Sequence, residues 1–221
     1  MLHNRNIMVD TVSDDPPNPQ GWGPIELHES NSSPIEFHPI RKRPKLHDQI
    51  ITKEEFMHLL RAGSARDKAI LSLAILGLRA GEIGQASTEW VDWHERILTI
   101  PSAKAKKGKG RRIFFGFSPI WEVLSAYFVL ENEVFPSNPT ANSRITVWRR
   151  VKALSKKVGL RKPLTPHGLR ATGATWAANS GLSAQAIREM FGWAKLETAE
   201  RYIAMSGRTA ERELKEKGGY I

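Results

Sequence analysis

The chain has 221 residues, 40% of them hydrophobic, and carries a formal net charge of +10. The absence of cysteine excludes thiol nucleophiles, disulfide frameworks and thiolate metal sites. No apolar run reaches the roughly eighteen residues of a membrane-spanning helix, and the amino terminus lacks the apolar core of a signal peptide. We therefore expect a soluble, cytoplasmic protein without a membrane partner, and the excess positive charge predicts a polyanionic partner such as nucleic acid.

Residues 1–45 differ in composition from the rest of the chain. They contain seven of the thirteen prolines, and their five basic and six acidic residues leave a net charge of −1. Their apolar residues follow neither a helical nor a strand period, which is typical of a disordered or extended tail. We predict a tail or linker over 1–45 and a folded domain over 46–221, which holds the remaining charge of +11.

The folded domain opens with three predicted helices. The capping-box pattern Thr52-Lys-Glu-Glu55 precedes apolar residues at helical spacing and marks the start of the first helix. The second helix covers about residues 65–76, is rich in Ala, Ile and Leu, and ends at Gly77. A shorter helix is predicted over 80–85.

The hydrophobic period then changes to that of strands. Residues 97–100 and 113–117 are predicted strands. Residues 103–112, between them, contain six basic residues and no acidic residue. This pattern predicts an antiparallel hairpin with a basic tip.

Helical patterns return after the hairpin. The predicted helices cover about residues 119–130, 143–158, 166–179, 184–191, 199–205 and 208–217. Thr165, Ser183 and Thr198 are the predicted N-caps, and Pro166 takes the first helical position, which proline favours. The predicted fold class is α+β, mainly helical, with one small antiparallel sheet.

Four segments carry side chains suited to chemistry on a phosphodiester. They are Gly77-Leu-Arg79-Ala-Gly-Glu82, the basic hairpin, His167-Gly-Leu-Arg170, and Phe191-Gly-Trp193 with Tyr202 further along. Taken singly, each is explained equally well by a helix end, a surface pair, a packed aromatic ring or a solvated basic turn. The four segments therefore have to be judged as a set.

Together these residues match the needs of an in-line phosphoryl displacement. The guanidinium groups of Arg79 and Arg170 are suited to bind non-bridging phosphate oxygens without a metal. A hairpin Lys can protonate the leaving alkoxide, and His167 can accept the nucleophile's proton or hydrogen-bond the phosphate. The Trp193 N–H can donate to a phosphate oxygen while Tyr202 attacks and forms a phosphotyrosine. That adduct conserves the bond energy for rejoining, so we expect no metal, cofactor or ATP.

In this order and at this spacing, the segments resemble the catalytic domain of the tyrosine recombinases, the phage-integrase type of site-specific recombinase, over about residues 46–206. The first segment resembles the box that holds the first catalytic Arg, here Arg79, and Glu82 matches its supporting acidic position. His167-Gly-Leu-Arg170 resembles the family's His-x-x-Arg box. Trp193 stands where the family has a second His or a Trp, and Tyr202 matches the nucleophile.

The resemblance implies a site-specific recombinase or integrase that cleaves and rejoins double-stranded DNA through a covalent 3′-phosphotyrosine. It further implies a homotetramer on two duplexes, with a monomer as the alternative in solution, and a mobile element acting in the cytoplasm of a prokaryotic host. Most members carry a helical core-binding domain before the catalytic domain, and residues 1–45 are too short and too rich in proline to form one. We expect either a natural short form or a fragment of a longer chain, with a C-terminal helix after the nucleophile.

The resemblance places the general acid on the hairpin. Lys106 is the first candidate, Lys104 is the second and Lys107 is a third. The basic residues expected to contact the DNA backbone are Lys104, Lys107, Lys109, Arg111, Arg149 and Arg150.

Other functions remain as alternatives. A type IB topoisomerase uses a similar residue set and nicks and reseals one strand without partner assembly. A non-catalytic remnant of a mobile-element integrase would bind DNA without cutting it. A metal-dependent nuclease would need clustered carboxylates, whereas the acidic residues of the folded domain are scattered along the sequence.

Overall fold

The computed structural model describes residues 46–135, 141–206 and 215. The α-helices of these residues are α1 Lys53–Ala62, α2 Ala65–Ile75, α3 Ala80–Ile83, α4 Ile120–Leu130, α5 Ala141–Lys157, α6 Pro166–Asn179, α7 Ala184–Phe191 and α8 Leu196–Met205. The strands are β1 Val91–Asp92, β2 Ile97–Ile100 and β3 Arg111–Phe114. The mainly helical α+β class with one small antiparallel sheet is thus confirmed. The predicted tail over 1–45 lies outside the described residues, as does the helix over 208–217 apart from Lys215.

Side-chain caps start several helices where the sequence predicts them. The Thr52 hydroxyl accepts from the Glu55 amide at 3.2 Å, and a Glu55 carboxylate oxygen accepts from the Thr52 amide at 2.8 Å. This reciprocal pair is the predicted capping box of α1. Thr165 caps α6 by accepting from the Gly168 amide at 3.0 Å, and Ser183 caps α7.

The start of α8 differs from the prediction. The helix begins at Leu196, with Lys195 at the N-cap and no side-chain cap hydrogen bond, so Thr198 lies inside the first turn. The predicted cap at Thr198 is therefore wrong. The buried residues of α8 are Ala199 and Tyr202, which pack with α6 and α7, so tertiary packing takes the place of a hydroxyl cap.

Helix α2 is the centre of the hydrophobic core. Every residue of its segment 69–75 is buried, and the helix packs against α4, α5 and α6. Helix α6 crosses it in backbone contact: a Cβ placed on Gly173 would lie 1.9 Å from the Ile75 carbonyl oxygen. This close approach brings the end of α2 next to the first half of α6, which positions the site described below. Within the described residues, no helix is both long enough and apolar enough to cross a bilayer.

The sheet is a three-stranded antiparallel unit in the order β1-β2-β3. Leu98 faces Ile113 in the β2–β3 register, and both side chains are buried. Strand β3 begins two residues before the predicted start and ends at Phe114, three residues before the predicted end. The Phe115 amide still donates to the Arg96 carbonyl at 3.0 Å, but Arg96 has a φ of +56° and is not extended, so the regular pairing stops there. Strand β1 was not predicted, since two residues are too few to establish a strand period.

Candidate active site

Arg79 stands at the start of α3, directly after the sharp turn that ends α2. The turn depends on Gly77, whose φ of +94° strains any residue with a side chain. Arg79 donates from Nη1 to a Glu82 carboxylate oxygen at 2.9 Å and from Nη2 to the Gly192 carbonyl at 3.0 Å. Its side chain is 29% exposed, and its other N–H donors have no acceptor among the described residues. Arg79 is thus held on one side and open on the other, as binding of an oxyanion requires.

Glu82 is the buried carboxylate around which the arginines gather. Its Oε1 accepts from Nη1 of Arg79 and of Arg111, and its Oε2 accepts from the Arg79 amide and from Arg111 Nη2. Burial by itself would raise the pKa of Glu82, but the hydrogen bonds and charge of Arg111, followed by the hydrogen bonds from Arg79, lower it to about 2. Glu82 is therefore ionised near neutral pH and offsets part of the positive charge of the site.

Arg170 is more deeply buried than Arg79 and lies on the second turn of α6, which begins after the Thr165 cap. Its side chain is almost entirely buried and donates to the carbonyls of Gly77 and Phe191. Burial, and then the positive charges of Arg79 and Arg111, lower the pKa of Arg170 to about 9. The group remains a cation at neutral pH and contributes positive charge from within the protein.

His167 occupies the exposed rim of the same helix, one turn before Arg170. Partial desolvation of its ring, followed by the positive charge of Arg170, lowers the pKa of His167 from its ordinary value. The ring is therefore mainly neutral at pH 7, and a neutral imidazole is able to accept a proton.

Three aromatic rings connect the end of α7 to α8. Helix α7 ends at Phe191, and Gly192 after it adopts a left-handed φ of +58° and turns the chain so that the Trp193 ring lies between two others. Trp193 stacks on Phe191 with centroids 5.1 Å apart and on Tyr202 with centroids 5.2 Å apart and an interplanar angle of 10°. The Arg170 guanidinium lies 5.7 Å from the Trp193 ring. Burial raises the pKa of Tyr202, and the charges of Arg170 and Arg201 oppose that rise.

The hairpin lysines are placed differently. The segment between β2 and β3 forms two short 3-10 turns, Ser102–Lys104 and Lys106–Gly108. The side chains of Lys104, Lys106 and Lys109 are exposed, and within the described chain no hydrogen bond or ion pair joins them to the arginine cluster. The side chain of Lys107 lies outside the described part of the structure. The choice among these lysines for the general acid stays a prediction.

Arg111 has a different environment from the one expected of a DNA-backbone contact. Its side chain is only 5% exposed and its guanidinium is bonded to Glu82, so it lies inside the site and not on the surface. The sequence contains a signal for this placement. Arg111 shares the period of two with Ile113 and Phe115, both buried, whereas Arg112 belongs to the opposite, exposed face of β3.

The two arginines of α5 are not equivalent. Arg149 is exposed, whereas Arg150 donates from Nε to an Asp67 carboxylate oxygen at 2.8 Å and so ties α5 to the first turn of α2. The exposed Arg149 side chain is available to contact a phosphate. Arg150 would first have to leave Asp67.

The structure thus brings together residues from three of the four segments, with His167 at the rim: Arg79 and Glu82, then Arg170, then Trp193 and Tyr202. Three guanidinium groups, those of Arg79, Arg111 and Arg170, surround one carboxylate, so the centre keeps a net positive charge. Such a centre is able to bind a phosphate and stabilise charge that develops on its oxygens. Among the described residues there is no group of three or more His, Asp or Glu side chains that could hold a metal ion.

A sequence model of the phage integrase family matches residues 49–208, which is more than half of the chain. Tyrosine recombinase XerA of Pyrococcus horikoshii is 31% identical over 176 residues, which cover 75% of this chain and 60% of the relative. Tyrosine recombinase XerD of Bifidobacterium longum is 27% identical over 186 residues, which cover 72% of this chain and 59% of the relative. The chain spans about 60% of the length of each of these two relatives.

Solved structures have the same fold. The crystal structure of XerA recombinase superimposes with a TM-score of 0.60 and 24% identity, covering 76% of this chain and 64% of that chain. The catalytic domain of bacteriophage HP1 integrase gives a TM-score of 0.53 and 17% identity, covering 75% of this chain and 93% of that domain. The sequence match and the shared fold lead to one conclusion: the chain belongs to the phage integrase family.

Proposed function

We propose that this chain is a site-specific recombinase that cleaves and rejoins double-stranded DNA through a covalent 3′-phosphotyrosine on Tyr202. The observation that carries the proposal is the convergence of Arg79, Arg170 and the Trp193–Tyr202 stack at one positively charged site. Its relatives are named tyrosine recombinases, and the Tn1549 integrase and XerH structures, which have a similar fold, are complexes with DNA. Family membership therefore supports the same assignment as the geometry.

In the proposed reaction the scissile phosphate binds to Arg79, whose side chain is partly exposed, and the buried Arg170 adds positive charge close by. The Tyr202 oxygen attacks phosphorus, the bond from phosphorus to the 5′ oxygen breaks, and the Tyr202 proton passes to neutral His167. A hairpin lysine, Lys106 by preference, protonates the leaving 5′ oxygen. A bridging 5′ phosphorothiolate needs no such proton, so Lys106→Ala should cleave that substrate normally while cleaving ordinary DNA slowly. Rejoining is the reverse sequence with another 5′ hydroxyl as the nucleophile.

The decisive experiment is an assay for a covalent adduct that survives SDS. Labelled duplexes from the DNA that flanks the gene, nicked near candidate sites to trap cleavage, are incubated with the protein in the presence of EDTA and without ATP. The wild-type chain should form an adduct, and Tyr202→Phe should bind the same DNA without forming one, because only the nucleophilic hydroxyl is lost.

The matched control is Tyr127→Phe, which also removes one tyrosine hydroxyl. That hydroxyl lies at the end of α4, where it donates to the Glu133 carbonyl at 3.2 Å, and it takes no part in the site. The control should keep the adduct. Tight binding without an adduct in the wild-type chain would favour the DNA-binding remnant.

We also propose that the chain acts as a homotetramer on two duplexes, with phosphate contacts from Arg149 and the exposed hairpin lysines, inside a prokaryotic cell. Mass photometry with a duplex that carries the cleavage site should detect four protomers with two duplexes. Adduct formation with supercoil relaxation by a single protomer would instead favour the type IB topoisomerase alternative.

A further inference from the structure

We infer that Arg111 is a positioning residue of the active site and not a DNA contact: it fixes Glu82, and through Glu82 it sets the Arg79 guanidinium that receives the phosphate. This inference rests on the proposed function, because it assigns Arg111 a part in the same reaction.

The first observation is the number of hydrogen bonds made by this one guanidinium. Nε donates to the Met190 carbonyl at 3.0 Å, and Nη2 donates to the Gly77 carbonyl at 2.9 Å. Nη1 and Nη2 also donate to the two oxygens of Glu82, at 3.2 and 2.8 Å. With all its nitrogens engaged and its side chain 5% exposed, Arg111 has no surface to offer a DNA backbone. Only a planar fork makes such a set of bonds, since a lysine ammonium is a single point.

The second observation is the path from Arg111 to Arg79. The two carboxylate oxygens of Glu82 that Arg111 holds are the same two that accept from Arg79, at 2.9 Å from Nη1 and at 2.8 Å from the backbone amide. Without Arg111, the Glu82 carboxylate would lose two of its four hydrogen bonds and keep only those from Arg79. The Arg79 guanidinium would then be held by this less constrained carboxylate and by the Gly192 carbonyl, and its orientation would be less well defined.

The third observation is that Arg111 and Arg79 hold the same turn. A Cβ placed on Gly192 would lie 3.0 Å from Cδ of Arg111, and the Gly192 carbonyl accepts from Nη2 of Arg79. That turn leads into Trp193 and the ring stack. Arg111 also begins β3, directly after the basic hairpin that carries Lys106. A single side chain thus connects the hairpin, the phosphate-binding arginine and the turn before the nucleophile.

The salt dependence of DNA binding shows whether Arg111 contacts a phosphate or acts as a positioning residue. Binding is measured in the Tyr202→Phe background, where no cleavage occurs, with and without Arg111→Met. A phosphate contact predicts that the slope of log K against log salt falls by about 0.9 in magnitude. A positioning role predicts an unchanged slope, and a fall of that size would overturn the inference.

The rate of single-turnover cleavage supplies the second test. We expect Arg111→Met to lower the cleavage rate about 100-fold, since a displacement of about 1 Å in a reacting group has that effect, while DNA affinity stays nearly constant. Arg111→Lys keeps the positive charge but lacks the planar guanidinium, so its cleavage rate should lie between those of wild type and Arg111→Met. The matched control is Arg112→Met on the exposed face of β3, which should cleave within about twofold of wild type. Equal rates for Arg111→Met and Arg112→Met would contradict the inference.

The pH profile tests the route through Glu82, which a general structural defect would not change. The charged groups facing Glu82 are Arg79 on its own helix, Arg111 on β3 and Arg170 on α6. Loss of Arg111 removes the strongest of the influences that lower the Glu82 pKa. Cleavage by Arg111→Met should therefore decline at a higher pH than cleavage by wild type as the solution is acidified. A profile parallel to that of wild type would argue against this route.

The absence of an adduct in the wild-type chain would refute the proposed function. The inference about Arg111 can still be tested in that case by a measurement without DNA. The ¹⁵N relaxation of the Arg79 Nε–Hε group reports the order of its guanidinium in the free protein. We expect an ordered group in wild type and Arg112→Met and a mobile one in Arg111→Met and Arg111→Lys. An equally ordered Arg79 in all four would overturn the inference.

Discussion

The individual residue that best explains the site is Glu82. Arginine side chains that approach one another with little solvent between them repel, and burial disfavours their charge. Glu82 offsets both costs by accepting from Arg79 and Arg111, and its charge also favours the cationic form of Arg170. The pKa of about 2 shows that the carboxylate is far more stable ionised in the folded protein than in the unfolded chain.

This residue should contribute to the pH dependence of stability. Because the folded pKa of Glu82 lies below its reference value of 4.5, its contribution is complete above pH 4.5 and is lost as the pH falls towards 2. The difference between the two pKa values corresponds to about 3 kcal/mol of stability. Urea unfolding gives the free energy of unfolding at pH 6 and at pH 3. Between these two pH values it should fall by more in wild type than in Glu82→Gln. Equal drops would mean that Glu82 is not held ionised by the arginines.

Pairs of packed helices set where these residues meet, and α2 and α6 are in backbone contact. Gly173 has no room for a side chain, because its Cβ would lie 1.9 Å from the backbone oxygen of Ile75. The same pair places the Gly77 carbonyl where Arg170 donates to it. The separation of the two helices therefore determines where the Arg170 guanidinium lies relative to the turn that carries Arg79.

Gly173→Ala should destabilise the fold by about 3 kcal/mol, since overpacking a core against backbone costs about 1–3 kcal/mol or more. It should also reduce adduct formation, because α6 carries Arg170. Urea unfolding measures the first effect. The matched control for stability is Gly81→Ala, a helical position with no atom within 4 Å of the added Cβ, where the change should be neutral or slightly stabilising. Similar losses at the two positions would contradict the close contact of α2 and α6.

Some features of these elements follow from local sequence patterns, and others depend on packing between elements. The cap at Thr52 is a signal within one turn of chain, so α1 was predicted with its start. The start of α8 depends on the packing of Tyr202 against two other helices, which a local sequence pattern does not predict. Arg111 needed both kinds of information: the strand period indicates an inward side chain, but the partner that makes burial tolerable, Glu82, lies 29 residues earlier in sequence. The ring stack likewise depends on a turn at Gly192 that only the fold defines.

Over the whole molecule, the net charge of the folded domain divides into cations that are already paired and cations that are available. Arg111 and Arg150 belong to the first group, because Glu82 and Asp67 hold them. Arg149 belongs to the second, as does Lys106 on the hairpin. Long-range attraction to DNA depends on the total charge, but counterion release counts only the groups that touch phosphates. The two arginines of α5 therefore allow a direct comparison.

Arg149→Ala should reduce the magnitude of the salt slope of DNA binding by about 0.9 if α5 lies at the DNA, with little change in stability. Arg150→Ala should leave that slope unchanged and lower the free energy of unfolding by up to about 1 kcal/mol, because it loses a partly exposed ion pair with Asp67. Fluorescence anisotropy at four salt concentrations gives the slopes, and urea unfolding gives the stabilities. An unchanged slope in the Arg149→Ala, Arg150→Ala double variant would place α5 away from the DNA, and the available charge of the hairpin would then have to provide the phosphate contacts.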